Sequence, residues 1–166
     1  MGVYRISRNI EASIIEYIIA QLAAASWSNV NVEKTFSRIY GIQMDENKQT
    51  AAICVRCSDT NRKRVEIGDD AVVRSELVLI DVFATSDGQR LDLVDFLGDI
   101  LKVGCPYFEH TVTNGVMGTP TQNGRIRFLN IEDKPVNFGV DKSALDIQDR
   151  YRHLLSATVS LGKVEI

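Results

Sequence analysis

The sequence has no excess of positive charge and no long apolar run. Its 166 residues contain 19 Lys and Arg against 22 Asp and Glu, which gives a net charge of -3. A weakly acidic chain repels polyanions as a whole, so any contact with DNA would have to be local. No apolar run approaches the roughly 20 residues that a membrane-spanning helix needs, and no segment resembles a signal peptide. We therefore expect a soluble protein made in a cytoplasm.

Cysteine and histidine are scarce, with three and two copies. Cys54 and Cys57 have the Cys-x-x-Cys spacing of zinc and redox sites, but residues three apart in a strand point to opposite faces. Cys105 and His110 are likewise an odd number apart in an extended stretch, while a zinc site needs about four ligands. The sequence has no Gly-x-Ser-x-Gly motif and no cysteine nucleophile motif with which His110 or His153 could act in catalysis. The sequence therefore predicts no metal, no cofactor and no catalytic residue, and hence no enzyme.

Glycine is present, but not in a phosphate-binding pattern. Residues 113–124, "TNGVMGTPTQNG", lack the Gly-Lys-Ser/Thr end and the strand-to-helix setting of a nucleotide-binding loop. We predict a long loop here, with Val116 and Met117 exposed at its middle unless a partner covers them. Apolar loop tips favour protein interfaces. The alternative is that the loop folds back on its own domain.

Two segments have the periodicity of helices. After Asn9, isoleucines and Leu22 recur at helical spacing, which predicts a first helix with Ser7 or Asn9 as its cap. Residues 86–101 show the same spacing and predict a second helix. Between and after the helices the period changes to that of strands. Strands are predicted at residues 51–57, 63–67, 72–84, 107–113, 124–131 and 151–166.

The order of these elements predicts the fold class. Residues 77–83 are apolar on both faces, which indicates a central strand covered on each side. Residues 137–149 are expected to be irregular or to hold one helical turn. We predict a single α+β domain over residues 1–166, in which two main helices pack against a mixed, mostly antiparallel sheet.

Arg62, Lys63 and Arg64 form a basic run at a predicted hairpin tip. Carboxylates on both sides offset its charge, and no aromatic residues are interleaved with it. Such a tip is most often a solvated turn, and a contact with a partner's carboxylates is favoured over nucleic acid.

Asp92, Asp95 and Asp99 share one face of the second predicted helix, opposite its apolar stripe. Aligned carboxylates could bind a divalent cation, but such a face is usually solvated. A subunit contact or the acidic lining of a channel is the next interpretation.

The last strand ends in "GKVEI", where the face that points inward changes near Lys163. A terminal edge of this kind can pair with a neighbouring subunit. We therefore include Lys163 among the candidate interface residues.

Three segments carry a resemblance to a known family. They are "RISRNIEASIIEYIIAQL" near the start, "VLIDVFATSDGQRLDLVDFLGDIL" at residues 78–101 and "DRYRHLLSATVSLGKVEI" at residues 149–166. In these segments and in element order the chain resembles the neck and tail-completion proteins of tailed bacteriophages, and among them the tail-terminator family. The resemblance implies a virion subunit that forms a ring, usually of six copies, at the head-proximal end of the tail tube, where it joins the tube to the neck.

The resemblance also implies partners. These are other copies of the chain, the tail tube protein, neck or connector proteins and, where the tail has one, a sheath protein. DNA would pass through the ring without specific binding. Asp92, Asp95 and Asp99 would repel its phosphates if they lined the channel. Otherwise they would face solvent or a neighbour's arginines, such as Arg125 and Arg127.

Other functions stay open on the sequence alone. One is a head-completion or connector protein that contacts the DNA end directly. Another, from a different class, is a small non-phage enzyme or regulatory domain that uses the carboxylate face or the thiols.

Overall fold

The computed structural model describes residues 2–3, 5–42, 47–65 and 70–165, with side chains for 5–42, 47–65 and 70–163. A 3₁₀ turn at Lys142–Ala144 precedes the last helix. The other elements in chain order are β1 (Gly2–Val3), α1 (Ile6–Ala24), β2 (Val30–Glu33), α2 (Phe36–Gly41), β3 (Ala51–Arg64), β4 (Val72–Ala84), α3 (Asp87–Leu101), β5 (Cys105–Glu109), β6 (Thr111–Thr113), β7 (Val116–Met117), β8 (Thr121–Pro135), α4 (Ile147–Arg150) and β9 (Tyr151–Glu165).

Six strands form the main sheet, in the order β2-β3-β4-β9-β8-β5. β2 runs parallel to β3, and the other neighbouring pairs of this sheet are antiparallel. β1, β6 and β7 form a smaller antiparallel sheet. With α1 and α3 packed against the main sheet, the fold is α+β, which confirms the predicted class.

The core has two parts, one on each face of the sheet. The larger part lies between the sheet and helices α1 and α3, and includes Ile14, Ile80 and Leu97. On the opposite face α2 covers a smaller cluster around Ile39 and Phe83. The second half of β4 is therefore buried on both faces, as its sequence predicted.

Helix α1 begins earlier than predicted. Its N-cap is Arg5, which makes no side-chain cap bond, so Ser7 and Asn9 lie inside the helix and the predicted caps are wrong. The helix ends where Ser26 adopts a positive φ of 62° and the Trp27 N–H donates to the Leu22 carbonyl. No helix within the described residues has the length and hydropathy of a membrane-spanning segment.

β3 is one strand where the sequence predicted two with a turn between them. It pairs with β4 on both sides of a register shift between Cys57 and Thr60. A β-bulge thus absorbs the turn-forming residues without ending the strand. The predicted meander is wrong here, and Arg62 to Arg64 lie within a strand. Residues 66–67, the end of the second predicted strand, lie outside the described residues.

The segment predicted as a long loop contains a hairpin. β6 pairs with β7 around the two-residue turn Asn114–Gly115, whose φ angles are 52° and 79°. An Asn-Gly pair with both φ positive is the preferred type I′ hairpin turn. The predicted strand at 107–113 is likewise divided, because the chain leaves the ladder at His110.

β9 lies between β4 and β8 inside the sheet. Val164 and Glu165 pair with Val73 and Val72 of β4, whereas the ladder with β8 ends at Ser160. The end of β9 is therefore already paired along one side, and the prediction of a free terminal edge is wrong on that side.

The two faces of α3 predict opposite responses to substitution. Leu97 is fully buried, so Leu97→Ala should lower the free energy of unfolding by about 2–5 kcal/mol, because it leaves a cavity. Asp95 is exposed, so Asp95→Ala should change it by less than about 0.5 kcal/mol. Urea unfolding measures both, and equal effects would contradict this placement of the helix.

Candidate interface surfaces

The three thiols lie apart from one another. Cys54 is buried in the cluster under α2, whereas Cys57 packs against the core under α1, so strand parity separates them as predicted. Cys105 is buried at the start of β5. Burial raises the pKa of Cys54 to about 11 and the pKa values of Cys57 and Cys105 to about 12. Within the described residues, no three Cys, His, Asp or Glu side chains are grouped to hold a metal ion.

His153 belongs to a chain of polar contacts on β9. Its Nδ1 lies 2.7 Å from Arg90 Nη1, and its Nε2 lies 2.9 Å from Asp133 Oδ2. A guanidinium only donates hydrogen bonds, so Nδ1 accepts and the proton sits on Nε2, which donates to Asp133. Both ring nitrogens of His153 are therefore engaged, and the contacts link α3 to β8 and β9.

His110 joins the break between β5 and β6 to α1. Its backbone N–H donates to Asn9 Oδ1 at 3.2 Å, and its Nε2 lies 3.1 Å from Glu16 Oε1. Asn9 also contacts the Tyr107 hydroxyl at 3.5 Å. His110 therefore lies between β5 and β6, and the prediction that it lies within a strand is wrong.

A buried ion cluster lies beneath α2. Asp81 is 1% exposed and accepts two hydrogen bonds from Arg152, at 2.9 and 3.1 Å, while Arg56 Nη2 lies 3.5 Å away. Both guanidiniums lie over the Phe36 ring, at 4.6 and 5.0 Å from its centroid. The sequence pattern did not predict this ion cluster. The one signal was a lone aspartate in the apolar run of β4, which needs a buried cation as a partner.

A second buried carboxylate anchors the hairpin of β3 and β4. Glu76 is 1% exposed and accepts hydrogen bonds from Ser7 at 3.0 Å and Thr60 at 2.9 Å. The Arg74 guanidinium pairs with the same carboxylate and donates to Ser7 at 2.6 Å. These contacts fix the base of the hairpin to the first turn of α1.

Beyond this anchor the hairpin forms an arm that carries the predicted basic run. All side chains of residues 58–64 are exposed, so this part of β3 has no buried face. Arg62 lies opposite Arg74 in the ladder, and Lys63 opposite Val73. Val65 and Val73 are 50% and 41% exposed. We call residues 58–65 and 70–75 the arm.

The predicted carboxylate face is solvent-exposed. Asp92, Asp95 and Asp99 are all exposed on α3, and Asp99 forms an ion pair with Lys102 at 2.5 Å. Asp95 and Asp99 line a shallow groove against β8, where Asp133 joins them. Asp92 and Asp95 are thus available for a contact, whereas Asp99 is already paired with Lys102.

The two predicted arginine partners differ in their surroundings. Arg125 donates to the carbonyls of Val103 and Gly104 at 2.9 and 3.1 Å, which ties β8 to the end of α3. Arg127 is exposed on β8. Of the two, Arg127 is the one whose side chain is better placed to reach a neighbour.

The tip of the β6–β7 hairpin is apolar and exposed. Val116 is 70% exposed and Met117 is 55% exposed, as predicted for the middle of this segment. No charged residue occurs in residues 111–124. The tip is therefore a small uncharged apolar surface beside the Asn114–Gly115 turn.

A cleft of about 240 Å³ lies between α1, β4, β5, β8 and β9. Its apolar lining residues are mostly buried, since Ile10, Tyr107 and Val159 are at most 2% exposed. The rest of the lining is Ile6, Leu161 and six polar or charged residues: Arg74, Glu76, Glu109, Asn123, Ser160 and Lys163.

Lys163, another predicted interface residue, lies at the rim of this cleft. Its Nζ donates to the carbonyl and Oδ1 of Asn123 at 2.6 and 2.8 Å, and lies 6.0 Å from the centroid of the Tyr107 ring. Gly124 has a φ of 115°, and a Cβ there would lie 3.2 Å from Lys163 Cε. A glycine at this position therefore leaves room for the lysine.

The thiols are predicted to be unreactive in the folded protein. The thiolate is the nucleophile, and the raised pKa values of Cys54, Cys57 and Cys105 leave little of it at pH 8. Alkylation by iodoacetamide, followed by mass spectrometry, should be at least ~100-fold slower than after unfolding in guanidinium. Rapid labelling of any one cysteine in the native state would contradict this burial.

Removing the carboxylate between the two arginines should be strongly destabilising. Asp81→Ala leaves Arg152, whose side chain is 15% exposed, without its main partner, at an expected cost of about 3–5 kcal/mol in the free energy of unfolding. The exposed Asp92→Ala serves as the control. A loss below about 1 kcal/mol in urea unfolding would be at odds with a buried ion pair.

The described side chains form several surfaces that face solvent: the arm, the carboxylate face of α3, the hairpin tip with Val116 and Met117, and the cleft beside Lys163. Both histidines and both buried carboxylates are engaged in contacts between elements. No protein-family model matches the chain, and no curated protein matches it.

Proposed function

We propose that this protein is a tail terminator of a tailed bacteriophage, a structural virion protein without enzymatic activity. It forms a ring, usually of six copies, at the head-proximal end of the tail tube and joins the tube to the neck. Its partners are its own copies, the tail tube protein, neck or connector proteins and, in tails that have one, a sheath protein. It is assembled in the host cytoplasm.

The observation that carries the proposal is the arm. A small group of strands is stable in water only when a hydrophobic face is covered. Here β3 and β4 extend beyond the core beside the end of β9, with residues 58–64 exposed, and Glu76 anchors the base of the arm to α1. A neighbouring subunit that packs on the arm would supply the missing cover. This is what the interface of a ring subunit requires.

The open edges of the sheet favour a closed assembly over an open-ended one. β2 pairs with β3 only as far as Cys54, and β5 pairs with β8 only as far as Ile126, so the rest of both strands is an open edge. On these edges β3 has the bulge after Cys57, and β8 has a register shift after Phe128 followed by charged residues and Pro135. Bulges, charges and prolines are features that prevent strand-to-strand growth. Contacts through side chains and loops, repeated head to tail, can instead close into a ring.

The charge of the chain suits a ring through which DNA passes. The net charge is -3, and Asp92, Asp95 and Asp99 are exposed on one helix. If they line the channel, they repel phosphates, so DNA slides without being bound. If they face a neighbour, Arg127 or the basic residues of the arm are suitable partners.

The proposal predicts a ring that depends on the arm. Native mass spectrometry over a range of concentrations, with and without tail tube protein, should find a single closed oligomer that appears as an annulus in electron micrographs. Lys63→Glu with Arg64→Glu should weaken this assembly without unfolding the monomer, because both side chains are exposed. Lys34→Glu with Lys134→Glu makes the same change in net charge at other exposed sites and should assemble normally.

Two results would count against the proposal. One is a protein that stays monomeric at every concentration and with tail tube protein present. The other is a phage lacking this chain that still joins heads to tails of normal length, as seen by electron microscopy. If the two charge variants assemble equally well, the basic residues of the arm are not part of the interface.

A further inference from the structure

The chain contains two Asn-Gly sequences, Asn114–Gly115 and Asn123–Gly124. In such a pair the backbone nitrogen of the glycine can attack the side-chain amide carbon of the asparagine, which closes a small ring. Glycine favours this reaction because it has no side chain beside the attacking nitrogen and leaves the backbone free to turn. The two sequences carry the same chemical groups, so the surrounding structure decides which of them reacts.

Asn114 is weakly restrained. Its side chain is exposed, and it makes no hydrogen bond to any of the described residues. The space around Gly115 is open, since a Cβ added there would have no neighbouring atom within 4 Å. β7, which closes the hairpin, consists of Val116 and Met117, and two residue pairs join it to β6. So short a ladder can open locally at a small free-energy cost, which lets Asn114 turn toward the Gly115 nitrogen.

Asn123 is held at both ends of its side-chain amide. Its Nδ2 donates to Glu109 Oε1 at 2.8 Å, and its Oδ1 accepts from Lys163 Nζ at 2.8 Å. Lys163 Nζ also donates to the Asn123 carbonyl at 2.6 Å, and Lys163 Cε would lie 3.2 Å from a Cβ at Gly124. Asn123 belongs to the 15-residue strand β8, which pairs with β5 on both sides of it. Rotation of its side chain toward Gly124 must therefore break hydrogen bonds to two charged groups.

We propose that Asn114 is a site of spontaneous deamidation and that the fold protects Asn123 from the same reaction. This inference does not depend on the proposed function. Base in the solvent removes the proton of the Gly115 N–H, the nitrogen forms a bond to Asn114 Cγ, and the Cγ–Nδ2 bond breaks. The leaving nitrogen takes up a proton and departs as ammonia, which leaves a cyclic succinimide. Water then opens the ring at either of its carbonyls, and the product is aspartate or isoaspartate.

Deamidation would change the chemistry of the hairpin tip. Either product adds a carboxylate to residues 111–124, which have no charged side chain, close to the exposed Val116 and Met117. Aspartate keeps the two-residue turn, because Asp-Gly suits the same type I′ conformation as Asn-Gly. Isoaspartate places one more carbon atom in the main chain, so the pairing of β6 with β7 would have to shift. An apolar contact made through the tip would therefore weaken with time, since it would have to bury a charge.

Peptide mapping by mass spectrometry tests the assignment on the full folded chain. The protein is incubated at pH 8 and then digested at mildly acidic pH, where the reaction is slow. The mass difference between an amide and a carboxylic acid reports the loss of each asparagine. Asn114 should convert at least about 10-fold faster than Asn123, because the hydrogen bonds of Asn123 to charged groups must break first. The Asn114 rate should also rise about 10-fold per pH unit, as the fraction of deprotonated backbone nitrogen does.

The same chain unfolded in guanidinium is the control for sequence. Both asparagines should then react at similar rates, because each is followed by glycine and the contacts that hold Asn123 are gone. Equal rates in the folded protein, or a faster reaction at Asn123 than at Asn114, would overturn the inference.

Removal of the two side chains that hold Asn123 tests the protection directly. Lys163→Ala with Glu109→Ala should raise the Asn123 rate at least about 10-fold in a chain that circular dichroism shows to be folded. Lys134→Ala with Glu132→Ala removes the same two charges at exposed sites elsewhere in β8 and should leave the rate unchanged. If the Asn123 rate is the same in both folded variants, these contacts do not protect it and the inference is wrong.

Discussion

Burial of β4 on both faces is the constraint on which the other elements depend. The strand lies between β3 and β9, carries the core under α1 and α3 on one face, and meets α2 on the other. A strand covered on both sides must be apolar along its whole second half, and any polar residue there needs a buried partner. Asp81 is that residue. It draws Arg56 and Arg152 under α2, and so positions the short helix that the apolar pattern alone did not specify.

The parts of the fold that sequence could predict are those with long periodic patterns. Helices α1 and α3 and strand β4 bury many side chains at regular spacing, so their patterns were unambiguous. Short elements such as β2 and α2 bury too few residues to show a period, and tertiary contacts decide them. The turn predicted at residues 58–61 is wrong for a related reason, because a bulge can absorb polar residues that a free chain would place in a turn.

The candidate surfaces divide in the same way. Exposure of the aspartates on α3 and of Val116 and Met117 follows from local pattern, and the sequence predicted it. The contacts of Arg125 could not be predicted from local pattern, because its partners are the carbonyls of Val103 and Gly104, in the segment between α3 and β5. The cleft beside Lys163 could not be predicted either, since its walls come from α1, β4, β5, β8 and β9. Which surface meets which partner depends on shapes that only the folded chain defines.

The absence of charge in residues 111–124 has a consequence for how an assembly would respond to its surroundings. Contacts between charged side chains weaken as salt rises, whereas burial of apolar surface is not screened by ions. A contact made through this uncharged hairpin would therefore persist over a wider range of salt concentration than a contact between charged side chains. Contacts made by the charged side chains of the arm would weaken as the salt concentration rises. One subunit would then combine a contact that tolerates salt with a contact that is sensitive to it.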